Sequence, residues 1–259
     1  MSDIAVSRDN GLQTIRFNRP AKKNALTADM YAAIVDALNG GDASPDVRAH
    51  LFAGSGGVFS AGNDISDFVA RAKDGAALDG PVLDFIRLLP HVKKPMIAAV
   101  DGLAVGVGTT MLFHCDLVYA TPQARFLTPF LDLGVVPEAG SSLLAPMRMG
   151  HQRAFELLVL GEAFSAERAR EAGLVNAIVD AAELEATAAK AAARLAAKPP
   201  EALAIARSLL RGDQNAVAAR IEDEARLFSE RMASPEAREA FAAFLEKRPA
   251  NFSNPAGGA

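Results

Sequence analysis

Two stretches of this chain follow one local plan, and that plan limits the folds open to it. An apolar run at 47–53 enters Gly54-Ser55-Gly56-Gly57-Val58-Phe59-Ser60-Ala61-Gly62-Asn63-Asp64-Ile65. A second apolar run, at 96–100, leads through Asp101-Gly102 to Gly106-Val107-Gly108-Thr109-Thr110. Each run has strand length, and each turn opens a helix-like segment. Strand–turn–helix units that recur along a chain favour α/β layering. Glycine in such turns lets bare backbone approach a ligand, and N–H groups at a helix start welcome negative charge. Two such turns brought together could each aim one peptide N–H at the same oxygen, the build of an oxyanion hole. On composition alone, two packing turns fit the same residues.

The remaining chain supports the layered reading. Strands at 4–7 and 12–17 flank Asp9-Asn10-Gly11, a hairpin turn that tolerates positive φ. Thr27 is a helix N-cap, Met30, Ile34 and Leu38 give that helix one apolar face, and Gly40-Gly41 is expected to stop it. Helices are expected at 64–73 and 81–89, a short helix up to His114, a strand at 117–120 and an extended piece at 126–129. Residues 135–140 read as a loop, with Ser141 or Ser142 capping the helix that follows. Helices at 150–160 and 165–172 and a strand at 174–179 come next. From there helices follow one another at 181–197, 199–211, 214–232 and 235–246, the last opened by Ser234-Pro235. Residues 254–259 read as a loose tail.

Composition excludes several classes of function. The chain has 259 residues, half of them hydrophobic, and a formal net charge of −4. It has no basic run longer than a pair, such as Lys22-Lys23 and Lys93-Lys94, which is no nucleic-acid footprint. No run approaches the length of a membrane-spanning helix, and the N-terminus lacks a signal-peptide pattern, so the expected location is soluble and cytoplasmic. The single cysteine, Cys115, lies in an apolar run and reads as an inert buried thiol. His50, His91, His114 and His151 have no ligand spacing, so no metal is expected.

Five segments, in order and spanning almost the whole chain, closely resemble the enoyl-CoA hydratase/isomerase (crotonase) family. They are Pro20-Ala21-Lys22-Lys23-Asn24-Ala25-Leu26, Phe59-Ser60-Ala61-Gly62-Asn63-Asp64-Ile65, Lys94-Pro95-Met96-Ile97-Ala98-Ala99-Val100-Asp101-Gly102, Gly106-Val107-Gly108 and Phe244-Leu245-Glu246-Lys247-Arg248. The resemblance implies a crotonase-type ββα spiral core over 1–199. It implies a C-terminal helical region over 200–259 for subunit contact, assembled as a trimer or a pair of trimers. It implies an acyl-CoA substrate, with coenzyme A as part of that substrate and no separate cofactor. By the same resemblance, the backbone N–H groups of Ala61 and Val107 would hold the thioester oxygen. Many members have glycine where Val107 stands, but a peptide N–H serves as well if the valine side chain points away. Coenzyme A would lie along Ala61, Gly62, Asn63, Asp64 and Ile65 and near Ala25. Lys22 or Lys23 would meet its phosphates, and Phe244 and Lys247 would approach from the C-terminal helix. Phe68, Thr110 and Phe130 would line the acyl pocket.

The resemblance also bears on the reaction. Family hydratases use two glutamates, and their positions fall on Thr110 and Phe130, neither of which can serve as a carboxylate. Gly134-Val135-Val136-Pro137-Glu138-Ala139-Gly140 instead resembles peroxisomal-type Δ3,Δ2-enoyl-CoA isomerases, which places Glu138 as catalytic base. One carboxylate suffices for a double-bond shift. Without the family match, Glu138 reads as a loop carboxylate favouring a helix N-terminus. Asp67 and Asp132 are weaker candidates. A hydratase or another thioester reaction, and a catalytically silent acyl-CoA binder, are the competing expectations.

Overall fold

The structure is a computed structural model, and it describes residues 2–64 and 79–253. The helix expected at 64–73 is therefore outside the described residues from Ile65 onward, as are Phe68, Asp67 and the tail from 254.

The chain opens with the expected hairpin. β1 (Ile4–Asp9) and β2 (Leu12–Phe17) pair antiparallel, with Asn10 at φ 47° and Gly11 at φ 81° in the turn. β3 (Ala49–Ala53), β4 (Met96–Val100), β6 (Leu117–Ala120) and β9 (Ala177–Ile178) then add in parallel. The sheet runs β1-β2-β3-β4-β6-β9. β5 (Leu103–Val105), β7 (Arg125–Leu127) and β8 (Phe164–Ser165) form a second, smaller sheet. β5 and β8 were not expected from the sequence. They have three and two residues, too few for an alternation to show.

The central strands are buried on both faces. Leu51, Ala53, Ile97 and Ala99 pack on Leu184, Ala188 and Ala192 of α7 (Leu184–Ala196), while Phe52, Met96, Ala98 and Val100 belong to the main core. Two-sided burial is why β4 reads as an unbroken apolar run and β3 as one interrupted by His50 alone, which is buried against Gln13 and Asp42.

α1 (Ala28–Ala43) starts where expected, with Thr27 Oγ1 accepting the Met30 N–H at 3.4 Å and Met30, Ile34 and Leu38 buried. Its end differs from expectation, because the helix runs through Gly40-Gly41. A Cβ on Gly41 would sit 2.5 Å from both Gln13 Nε2 and His50 Cε1. That glycine lets the helix approach a buried polar pair; it does not terminate the helix.

α2 (Gly80–Leu88), α3 (Val107–Thr110), α4 (Ser141–Met149), α5 (His151–Leu158) and α6 (Ala166–Glu171) follow in the spiral. α8 (Pro200–Arg211), α9 (Gln214–Met232) and α10 (Pro235–Glu246) complete the chain, and Ser234 caps α10 by accepting the Ala237 N–H at 3.1 Å. The apolar face of α9, with Ile221, Ala225, Phe228 and Met232, is buried in the chain's own core rather than turned outward. α8 exposes Ile205, Leu209 and Leu210. Among the described residues no helix is long and apolar enough to cross a membrane.

Candidate active site

The two glycine-rich turns lie side by side. Phe59 and Ser60 donate their N–H groups to the Leu103 carbonyl at 3.1 and 2.9 Å, and the Val105 N–H donates to the Ser60 carbonyl at 2.9 Å. Buried Asn24 clamps the first turn from the other side, donating to the carbonyls of Ser55 (2.9 Å) and Val58 (2.6 Å). In the second turn Gly106 has φ 54° and ψ −121°, a conformation essentially closed to side-chain-bearing residues. It swings the chain from β5 into α3 and leaves Val107 as the first residue of the helix. The Val107 side chain is buried in the core.

The first turn corrects one expectation. The Ala61 N–H donates to the Lys23 carbonyl at 2.9 Å, so it is already committed. Gly62 N–H donates to Ser60 Oγ at 3.1 Å and Asp64 N–H to the Leu26 carbonyl at 2.9 Å. Within 61–64, Asn63 is the residue whose N–H has no acceptor among the described residues. Spacing alone could not separate these positions, because the parallel bridge between Leu26 and Asn63 decides which N–H groups are used.

Glu138 lies on the loop before α4 and is 4% exposed. Thr110, at the end of α3, donates its hydroxyl to Glu138 Oε1. Glu138 Oε2 is buried with no hydrogen-bond partner among the described residues. Burial pushes the carboxyl up to about 8 from an ordinary 4.5; the Thr110 hydrogen bond opposes this and the Glu224 charge adds to it. The one helix α3 thus presents an open N–H at its first residue and a hydroxyl on the buried acid at its last. Phe130 is buried in the same core, and Asp132 is exposed.

Several contributors escaped the sequence reading. Tyr31, fully buried on α1, donates its hydroxyl to Asn63 Oδ1. Burial, then the Glu138 charge, holds that phenol well above its ordinary value. His114 Nε2 lies 2.7 Å from the Ala139 carbonyl, and since a carbonyl only accepts, that nitrogen carries the proton. Burial drives this imidazole down to about 3, so it is neutral. Ser141 and Ser142 do not cap α4 as expected. The cap residue is Gly140, and the Glu224 carboxylate of α9 accepts the N–H groups of Gly140 (2.6 Å) and Ser142 (2.9 Å). No periodicity links a carboxylate on α9 to a turn more than 80 residues earlier.

The residues expected at a coenzyme A site divide. Lys22 and Lys23 are exposed beside the first turn, Ala25 is half-buried, and Asp64 is paired with Arg19 at 2.6 Å. Gly62 and Asn63 belong to the turn itself. Phe244 and Lys247 are exposed at the far end of α10, which packs on residues 131–133 and α9. Burial pushes the Cys115 thiol up to about 12, which makes it inert as expected. It lines a separate cavity of about 540 Å³ whose basic side chains, Arg148, Arg207 and Arg211, donate to backbone carbonyls or to Asp116. Among the described residues no group of three His, Cys, Asp or Glu side chains is placed to hold a metal.

A spiral of strand–turn–helix units with two docked glycine turns over a buried acid is a crotonase-type arrangement. The family model described as enoyl-CoA hydratase/isomerase matches residues 7–255, and the chain belongs to that family. Enoyl-CoA delta isomerase 2 of Rattus norvegicus is 34% identical over 251 residues, covering 95% of this chain and 64% of the rat protein. The chain therefore spans a little under two thirds of that relative. The 2,3-dehydroadipyl-CoA hydratase of Escherichia coli (strain K12) is 31% identical over 253 residues, covering 97% of this chain and 99% of that one. An enoyl-CoA hydratase/isomerase from Pseudoalteromonas atlantica T6c superposes with a TM-score of 0.91 at 38% identity, covering 97% of this chain and 100% of that one. The relatives thus include one named as an isomerase and one named as a hydratase.

Proposed function

We propose that this chain is an enoyl-CoA isomerase that moves a double bond from the Δ3 to the Δ2 position of an acyl-CoA thioester. The observation carrying this reading is the buried carboxylate of Glu138, one oxygen of which is held by Thr110 while the other has no partner among the described residues. Thr110 and Phe130 stand where a hydratase would need its carboxylates. The rat delta isomerase supports the assignment, and the Escherichia coli hydratase marks the alternative.

In this reading the thioester oxygen accepts the N–H groups of Asn63 and Val107, Asn63 taking the place first expected of Ala61. Glu138 Oε2 removes a proton from C2 of the 3-enoyl thioester. The electron pair of that C–H bond passes into a dienolate, whose negative oxygen the two N–H groups stabilise. The protonated carboxyl returns the proton at C4, the C2=C3 bond forms and the carbonyl is restored. Because Thr110 donates to Oε1, the shuttled proton resides on Oε2. Buried Phe130 keeps the site dry, which raises the basicity of the carboxylate and denies water to the dienolate. Lys22 and Lys23 meet coenzyme A phosphates at the mouth of the first turn.

The decisive assay gives the protein 3-enoyl- and 2-enoyl-CoA of several lengths and follows mass and absorbance. Conjugation at constant mass is expected from the 3-enoyl substrates. Fast addition of one water to 2-enoyl-CoA would overturn the reading in favour of a hydratase, and tight binding without turnover would favour a silent binder. A second expectation concerns Thr110→Val. It removes the donor that lowers the Glu138 pKa, so the acid limb of kcat/KM against pH should move alkaline, with kcat falling about tenfold. An unmoved limb would show that the Thr110 contact is unimportant to the base.

A further inference from the structure

Glu138 is not held only by its own neighbours. The turn that carries it, Glu138-Ala139-Gly140, has Ala139 at φ 59° and Gly140 at φ 71°. A left-handed alanine followed by a left-handed glycine is not a conformation the chain adopts unaided. Two buried side chains from distant elements fix it. His114 donates to the Ala139 carbonyl at 2.7 Å, and Glu224 accepts the Gly140 and Ser142 N–H groups at 2.6 and 2.9 Å. Glu224 is 4% exposed, as buried as Glu138 itself. Across the turn itself the Ser141 N–H donates to the Glu138 carbonyl at 3.1 Å, while Ser141 Oγ has no partner among the described residues.

We propose that Glu224 is the positioning residue of this site: its carboxylate holds the Glu138 turn in place through the Gly140 and Ser142 N–H groups and sets a like charge beside the buried Glu138 carboxyl. The proposal rests on the reading of Glu138 as the base. The two acids have opposite surroundings. Glu224 has two backbone N–H donors, and Arg220, one turn earlier on α9, donates to Ser142 Oγ at 3.1 Å and favours the Glu224 charge. Glu138 has the Thr110 hydroxyl alone. Burial raises both carboxyls, but hydrogen bonds from Ser142 and Gly140 pull Glu224 back, whereas the Glu224 charge pushes Glu138 further up. Paired acids whose environments diverge divide into one that stays charged and one that exchanges a proton.

The other charged and titratable groups around the turn leave this assignment standing. His114 is neutral, and Tyr31 titrates well above neutral pH. On α4, Arg148 donates to the Phe113 carbonyl at 2.6 Å; Arg211, at the end of α8, donates to the Leu89 carbonyl at 3.2 Å. On α2, Arg87 is paired with Glu222 of α9 at 2.6 Å, and on α10, Glu239 is paired with Arg248 at 2.6 Å.

The test uses Glu224→Gln and Glu224→Asp in the full chain. In Glu224→Gln the like charge is gone, so the acid limb of kcat/KM should move to lower pH by about 0.5–1 unit, with kcat down about tenfold and KM little changed. In Glu224→Asp the charge stays but the shorter side chain cannot reach both N–H groups, so kcat falls while the limb stays. Carbon-13 NMR of the Glu138 carboxyl, assigned by its loss in Glu138→Gln, follows the same titration without turnover. It keeps the outcome separate from the assignment of the reaction. An unchanged Glu138 titration in Glu224→Gln would overturn the electrostatic role, and full kcat in Glu224→Asp would overturn the positioning role. If Glu224→Gln does not fold, the Glu224→Asp result still decides the second.

Discussion

Glu138→Gln should lose about 10³-fold or more in kcat on 3-enoyl-CoA while still binding coenzyme A thioesters and folding normally. Glutamine keeps the volume and the oxygen that accepts from Thr110, and it removes the group that exchanges a proton. The same variant makes a second, independent expectation about stability. In the folded wild-type chain the carboxyl sits near 8 against an ordinary 4.5. Between those values the folded protein holds a proton that the unfolded chain has released. Wild-type stability therefore falls as pH rises from about 4.5 to about 8 and is flat above that, by an amount on the order of a few kcal/mol. The glutamine has no such term. Melting temperatures of the two proteins should lie close at pH 5 and separate by pH 9, with the variant the more stable. The wild-type kcat/KM should rise over the same range to a plateau, because in the proposed mechanism the ionised carboxyl is the base. Retained turnover in Glu138→Gln would remove Glu138 from the mechanism. Melting curves that run parallel from pH 5 to 9 would show instead that the carboxyl is not buried as a neutral acid.

That carboxylate was visible in the sequence only through resemblance, and the reason is physical. A loop glutamate before a helix has an ordinary use as a helix-terminus charge. Nothing in the 135–140 spacing reveals that Glu138 turns inward and that Glu224 takes the capping position. The hairpin, α1, the buried central strands and the C-terminal helices were legible because their signals are local: an Asn-Gly turn, a Thr cap, largely apolar runs, a Ser-Pro start. Gly41 misled because a glycine needed for close approach to Gln13 and His50 has the same appearance as a helix stop. The glycine turns announced a backbone-binding site, but the choice between Ala61 and Asn63 depended on the pairing of 61–64 with residues 23–26. That pairing joins segments nearly forty residues apart. Tyr31, His114 and Glu224 are likewise side chains whose neighbours are set by tertiary packing alone.

Val107→Pro tests the other half of the site, and the position is unusually suited to it. A backbone N–H can be deleted only by proline, which normally distorts a helix. Val107 is the first residue of α3, where proline is tolerated because that N–H has no helical partner. Gly106, with ψ −121°, is already outside the helical region that a following proline forbids. In the proposed mechanism the substitution therefore removes one of the two donors to the developing oxyanion and leaves the local path intact. It should lower kcat about 10²–10³-fold, with little change in melting temperature. Val107→Gly should do the reverse. It keeps the N–H and therefore most of the activity. It empties a buried side-chain site and adds backbone freedom at a helix start, at a cost of about 1–3 kcal/mol. A proline variant with wild-type kcat would show that the thioester oxygen is held elsewhere. If the glycine variant lost as much activity as the proline, the valine side chain rather than its N–H would be what the reaction requires.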